Sequence, residues 1–94
     1  MFLYVIGTTE NKQKIGFTND LNKRLKTLQT GNPDKLIIHH FEEVPNHRAR
    51  IMEKRLHRDL SHKRLKGEWF NLTPLEAKSM LQFAIIRYLD DITI

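Results

Sequence analysis

Phe2-Leu3-Tyr4-Val5-Ile6, a polar stretch from Thr8 to Gln13, and Lys14-Ile15-Gly16-Phe17-Thr18, with Arg24 soon after, decide the fold of this chain. The first run is unbroken, of strand length, and rich in aromatic and β-branched side chains, which predicts a buried strand. The second run predicts another short strand, and the six- or seven-residue link between them favours an antiparallel hairpin. A Tyr on the first strand, a Lys and a Gly on the second, and an Arg one or two helical turns later can place a phenol, an ammonium and a guanidinium around one phosphate. The expectation is phosphodiester chemistry, or phosphate binding at the least.

Outward from this hairpin the chain alternates helix and strand signals. Thr18 or Asn19 is the expected cap of a first helix, with Asp20 in its first turn, and Leu21, Leu25 and Leu28 make its apolar stripe. At 100° per residue Arg24 lies about 40° from Leu28, at the edge of that stripe, from where it can reach into a cleft. Gly31-Asn32-Pro33-Asp34 turns the chain, and Leu36 to Phe41 predicts a third strand, central and antiparallel. His39 and His40 within it should point to opposite faces. Pro45-Asn46 starts a second helix, with Asn46 as the expected cap and Ala49, Met52, Leu56 and Leu60 as its apolar face. Glu53 falls within about 50° of the centre of that face, and His57 follows one turn later on the same flank. A carboxylate on the core side is costly unless it is paired or binds a metal.

Gly67-Glu68-Trp69-Phe70-Asn71-Leu72 reads as a turn and a short extended segment whose aromatic pair seals the core. Thr73-Pro74-Leu75-Glu76 is a strong helix start, with a Thr cap, Pro at the first helical position and Glu completing a capping box. The last helix is expected to run from about 73 to about 90. Its apolar surface, which includes Leu75, Phe83, Ile86, Tyr88 and Leu89, is broader than one stripe and is a candidate homodimer surface. The expected architecture is α+β: a small three-stranded antiparallel sheet flanked by helices, plus a C-terminal helix. The 94 residues form a single domain, with its core in residues 2–72.

Composition narrows the function class. With 39% hydrophobic and 29% charged residues the chain is an ordinary globular domain rather than a disordered one. It has no Cys, hence no disulfide framework and no thiolate zinc site. No apolar run approaches the roughly 18 residues of a membrane span, and the N-terminus lacks the basic region of a signal peptide. The net charge is +5, the sign expected for a nucleic-acid partner. Arg48, Arg50, Lys54, Arg55, Arg58, Lys63, Arg64 and Lys66 fall between positions 48 and 66, with only Glu53 and Asp59 opposing them. This local excess is the candidate nucleic-acid surface, with affinity that should fall as salt rises.

Phosphodiester hydrolysis needs a base for water, a cation at the phosphate, an acid for the leaving group and positioning of the bond. Tyr4, Lys14, Arg24, Glu53 and His57 are the candidates. Each also has an ordinary role open to it: a strand Tyr with a satisfied hydroxyl, a solvated Lys, a helix-surface Arg, a Glu paired with His57 or a neighbouring Arg.

Together, Leu3-Tyr4-Val5, Lys14-Ile15-Gly16-Phe17-Thr18, Arg24-Leu25, Leu28, Glu53, Leu56-His57 and Gly67-Glu68-Trp69-Phe70 resemble the GIY-YIG nuclease superfamily, above all its short phage and bacterial branch. The resemblance covers residues 2–72. It implies that Tyr4 is a general base for the attacking water, that Arg24 binds phosphate, and that Glu53 ligates a divalent cation, Mg²⁺ or Mn²⁺. It also implies DNA as the partner, and the cytoplasm of a bacterium or a phage-infected host as the location. Two departures stand out. The first motif reads Phe-Leu-Tyr without its glycine, and Lys14 stands where a second Tyr is usual. Lys14 is expected to stabilise the Tyr4 phenolate and lower its pKa from about 10. For the family's late Asn, Glu68 and Asn71 both lie in the right region. His57 resembles the helix His of this branch, with a proton-transfer or phosphate-contact role.

Three readings follow. The first is a metal-dependent DNA endonuclease. The second is a DNA-binding or regulatory module on the same fold that does not cut. The third is an adaptor that uses the last helix, which leaves Tyr4, Lys14, Arg24 and Glu53 unexplained.

Overall fold

The computed structural model describes residues 1–93, with side chains through Arg87. Strands β1 (Phe2–Gly7), β2 (Gln13–Thr18), β3 (Ile37–Glu43) and β4 (Trp69–Phe70) form one sheet in the order β3-β1-β2-β4, every pairing antiparallel. Helices α1 (Leu21–Gln29), α2 (Asn46–Asp59) and α3 (Pro74–Thr93) cover it, and a short 3₁₀ turn at Ser61–Lys63 follows α2. The class is α+β as expected. The sheet has a fourth strand because Trp69–Phe70 pairs with Gln13–Lys14; two residues are too few to carry a strand period in sequence.

β1 is apolar throughout because both its faces are covered. Leu3 and Val5 enter a cluster with Ile15, Phe70, Met52 and Leu56 of α2, and Ala77 and Leu81 of α3. Tyr4 and Ile6 point the other way, into a cluster with Leu36, Trp69 and the partly buried Leu21, Leu25 and Leu28 of α1. A side chain as buried as Leu56, 1% exposed, contributes about 1.5–3 kcal/mol. Trp69 and Phe70, adjacent in β4, seal opposite faces rather than one, as strand alternation requires.

The expected central position of the third strand is corrected. β1 takes β2 on one side and β3 on the other, which leaves β3 at the edge. None of its residues is fully buried, and its His and Glu side chains suit an edge exposed to water. The strict alternation expected of His39 and His40 is interrupted, because the register shifts between Val5–His40 and Ile6–Ile38 and leaves His39 at the irregularity; His39 meets the Thr8 carbonyl at 2.7 Å and His40 meets Glu42 at 3.0 Å.

Two helix caps also differ. Asp20, not Thr18 or Asn19, caps α1, its Oδ1 accepting the Lys23 N–H at 3.0 Å. Thr18 ends β2, and its hydroxyl accepts the Asp20 N–H instead. Asn46 is already helical, and Pro45 holds the cap position without a side-chain bond. The Asn46 side-chain oxygen, Oδ1, instead accepts from the N-terminal ammonium at 2.9 Å. The capping box of α3 forms as read: the Glu76 N–H donates to Thr73 Oγ1 at 3.1 Å, and the Thr73 N–H to Glu76 Oε1 at 2.8 Å. Among the described residues no helix is long and apolar enough to cross a membrane.

Candidate active site

Tyr4 sits opposite Gly16 in the β1–β2 register. A Cβ built on Gly16 would lie 2.6 Å from the Tyr4 hydroxyl and 2.8 Å from Cζ. The phenol therefore lies directly over Gly16, and only a residue without a side chain leaves it room. This is the physical reason for a glycine in Lys14-Ile15-Gly16. The ring is 1% exposed.

β4 pairs with β2 only at Gln13 and Lys14. Beyond that point the outer edge of β2 is free of strand partners, and α2 takes it over. His57 Nε2 donates to the Ile15 carbonyl at 2.7 Å, and the Glu53 carboxylate accepts the Phe17 backbone N–H. Two side chains one helical turn apart thus satisfy alternate polar groups of one strand edge. Both are half-buried. A tilted contact of the His57 ring with Phe70, centroids 5.2 Å apart, fixes the imidazole further.

Glu68, just ahead of β4, completes the group. Its Oε2 accepts from Lys14 Nζ at 2.9 Å, and that ammonium also lies 5.9 Å from the Trp69 ring centre. One ligand atom from each of Glu53, His57 and Glu68 lies within 4.8 Å of the others, a fit for one divalent cation. Arg24 approaches from α1, near enough that its charge favours the ionised forms of both Tyr4 and Glu68. A cavity of about 300 Å³ opens beside it, lined by Thr18, Asp20, Lys23 and Thr27. A second cavity, of about 650 Å³, lies at the far end of the β1–β2 hairpin and is lined by none of the candidate residues.

The site's protonation follows from burial and charge. Burial is the main cause that pushes the Tyr4 phenol up to about 12; Arg24 opposes it, while Glu53 and Glu68 reinforce it. The expectation that Lys14 lowers this pKa is corrected: burial dominates, and the Lys14 ammonium is spent on Glu68. Burial also raises Glu53, against the lowering influence of His57. Glu68 is lowered, first by its hydrogen bond from Lys14.

The structure thus brings Tyr4, Lys14, Arg24, Glu53 and His57 to one place. It does not do so for the eight basic residues. About the α2 axis Arg50 and Lys54 lie about 60° and 100° from Glu53, on the site's flank, whereas Arg48, Arg55 and Arg58 lie about 140–160° away. Arg64 stacks over Phe70, 5.7 Å from the ring centre, and Lys66 lines a cavity with Lys12 and Trp69. On α2, then, the basic residues do not share one face of the helix. Glu68 is the site residue that sequence reasoning left among alternatives. Its one signal was a place beside the aromatic pair, in the region of the family's late Asn.

The T5orf172 domain model matches residues 1–85. The chain belongs to the T5orf172 domain family. The match spans every strand of the T5orf172 sheet, all of α1 and α2, and most of α3. No curated protein and no solved structure matches the chain.

Proposed function

We propose that this T5orf172 domain is a metal-dependent DNA endonuclease with a GIY-YIG-type site, acting in the cytoplasm of a bacterium or a phage-infected cell. The observation that carries the reading is the convergence of Tyr4, Arg24 and the Glu53–His57–Glu68 group from β1, α1, α2 and the segment before β4 onto one open edge of the sheet. A divalent ion, Mg²⁺ or Mn²⁺, would neutralise charge on the phosphate there. Glu53, anchored by the Phe17 N–H, would hold it. Arg24 binds a non-bridging phosphate oxygen, and Lys14 joins it once released from Glu68. Tyr4 takes the proton of the attacking water as the new oxygen–phosphorus bond forms and the bond to the leaving oxygen breaks, that oxygen taking a proton from solvent water. With a pKa of about 12, only about 10⁻⁵ of Tyr4 is phenolate at pH 7. The Arg24 guanidinium favours the phenolate and offsets part of that cost.

The test is incubation with plasmid and single-stranded DNA in Mg²⁺, in Mn²⁺ and in chelator, beside Glu53→Ala. Metal-dependent cutting that is lost in Glu53→Ala is expected. Binding without cutting in every metal would sink the reading.

A second reading, a DNA-binding module that does not cut, draws on the same resting charges: a phenol held protonated and a Lys14 neutralised by Glu68. A homodimer through α3 has its own support. Leu75, Phe83 and Ile86 are 71%, 59% and 57% exposed and fall within about 80° of one another about the helix axis. Tyr88 and Leu89, also expected on that surface, have side chains outside the described residues. Sedimentation showing a monomer at every concentration would remove the dimer.

A further inference from the structure

We infer that Glu53, His57 and Glu68 form a mixed carboxylate–imidazole site for a first-row transition dication in preference to Mg²⁺, with Lys14 occupying Glu68 until the ion arrives. The inference builds on Glu53 as the metal ligand of the reading above, adds two ligands to it, and fixes the class of metal.

The geometry is close to what one ion requires. Ligands bound at about 2.0–2.2 Å lie at most about 4.4 Å apart across the ion, and these three already lie within 4.8 Å. A few tenths of an ångström of movement suffices. Glu68 supplies it most easily, since its side chain is 54% exposed. His57 is prepared by an independent contact. Its Nε2 faces the Ile15 carbonyl at 2.7 Å and must carry the proton, so in the neutral ring Nδ1 holds the free lone pair. A backbone carbonyl that fixes the tautomer is how a metal-binding His is usually oriented.

The donor set then selects the metal. Mg²⁺ prefers an all-oxygen octahedron and gives up its waters reluctantly. Imidazole nitrogen beside carboxylates favours the transition series. Two carboxylates brought within 4.8 Å of each other repel, and a dication between them relieves that repulsion. In its absence the Lys14 ammonium, 2.9 Å from Glu68, plays that part. Transfer of Glu68 to the metal frees Lys14 to meet a phosphate.

The test is calorimetric titration of the full chain, without DNA, with MnCl₂, ZnCl₂ and MgCl₂. One ion per chain is expected, with Mn²⁺ and Zn²⁺ at least about 100-fold tighter than Mg²⁺. Glu68→Gln, at an exposed position that leaves the fold intact, should weaken Mn²⁺ and Zn²⁺ at least about tenfold. Lys14→Met, which removes the competing cation, should tighten them. Electron–nuclear double resonance on bound Mn²⁺ should show one directly coordinated nitrogen, a readout that needs no His57 variant. Mg²⁺ binding within tenfold of Mn²⁺, no coordinated nitrogen, unchanged binding in Glu68→Gln, or weaker binding in Lys14→Met overturns the site. Cutting that depends on Glu53 without this selectivity would refute the site and leave the endonuclease standing. Selective binding without cutting would do the reverse.

Discussion

Gly16→Ala tests the frame of the site more directly than any change to a charged residue. The new Cβ would stand 2.6 Å from the Tyr4 hydroxyl, 0.8 Å inside the 3.4 Å at which ordinary contact begins. The phenol cannot simply swing away. It is 1% exposed, and Ile6 and Leu36 pack in the same cluster. Overpacking of this kind costs about 1–3 kcal/mol. Urea denaturation followed by the fluorescence of Trp69, the chain's single Trp, should show that loss. The same displacement of the hydroxyl should lower DNA cleavage by about 10²-fold, because geometry near 1 Å matters at the reacting centre. A double-mutant cycle isolates the cause. In a Tyr4→Leu background, which lacks both Cζ and the hydroxyl, Gly16→Ala should cost no more than a few tenths of a kcal/mol. If Gly16→Ala is as stable as the parent, or costs the same in both backgrounds, the phenol does not lie over Gly16 and the site as described is wrong.

Three further outcomes follow from the structure. Arg24→Ala should cut turnover strongly while the denaturation midpoint moves little, since α1 buries no residue fully; normal cutting would mean that the phosphate lies elsewhere. Leu56→Ala should cost about 2–5 kcal/mol, because the side chain is 1% exposed in the main cluster between α2 and β1; a loss under 1 kcal/mol would refute the packing of α2. Tyr4 makes stability depend on alkaline pH. Its folded pKa is raised from 10.0 to about 12, so its contribution is fully present below pH 10 and is lost as pH rises through 12, on the order of 2–3 kcal/mol in all. Denaturation between pH 9 and 12 should show a steeper decline in the parent than in Tyr4→Phe, and parallel curves would remove the buried phenol from the account.

What local chemistry dictates was legible in the chain. The unbroken apolar run of β1, the Leu21, Leu25 and Leu28 stripe, the Thr73–Glu76 capping box and the inward flank of Glu53 and His57 all appear where their periodicity puts them. Each depends on residues within a turn or a strand of one another, so spacing alone carries the information. The resemblance added Tyr4, Arg24 and Glu53 as one group.

Tertiary structure decided the rest. Strand order depends on which edges of β1 are taken, and β3, read as central, lies outside. β4 exists only because two residues meet Gln13 and Lys14 across more than fifty positions of chain. The same meeting brings Glu68 to Lys14 and to the Glu53–His57 flank, and it turns the expected helper of Tyr4 into the partner of a carboxylate. The Tyr4 pKa follows the same rule. Sequence names a phenol near cations, but its direction of shift is set by how completely the sheet and α1 exclude water from it. Patterns along a chain report which faces are apolar; they do not report which distant charges those faces bring together when they close.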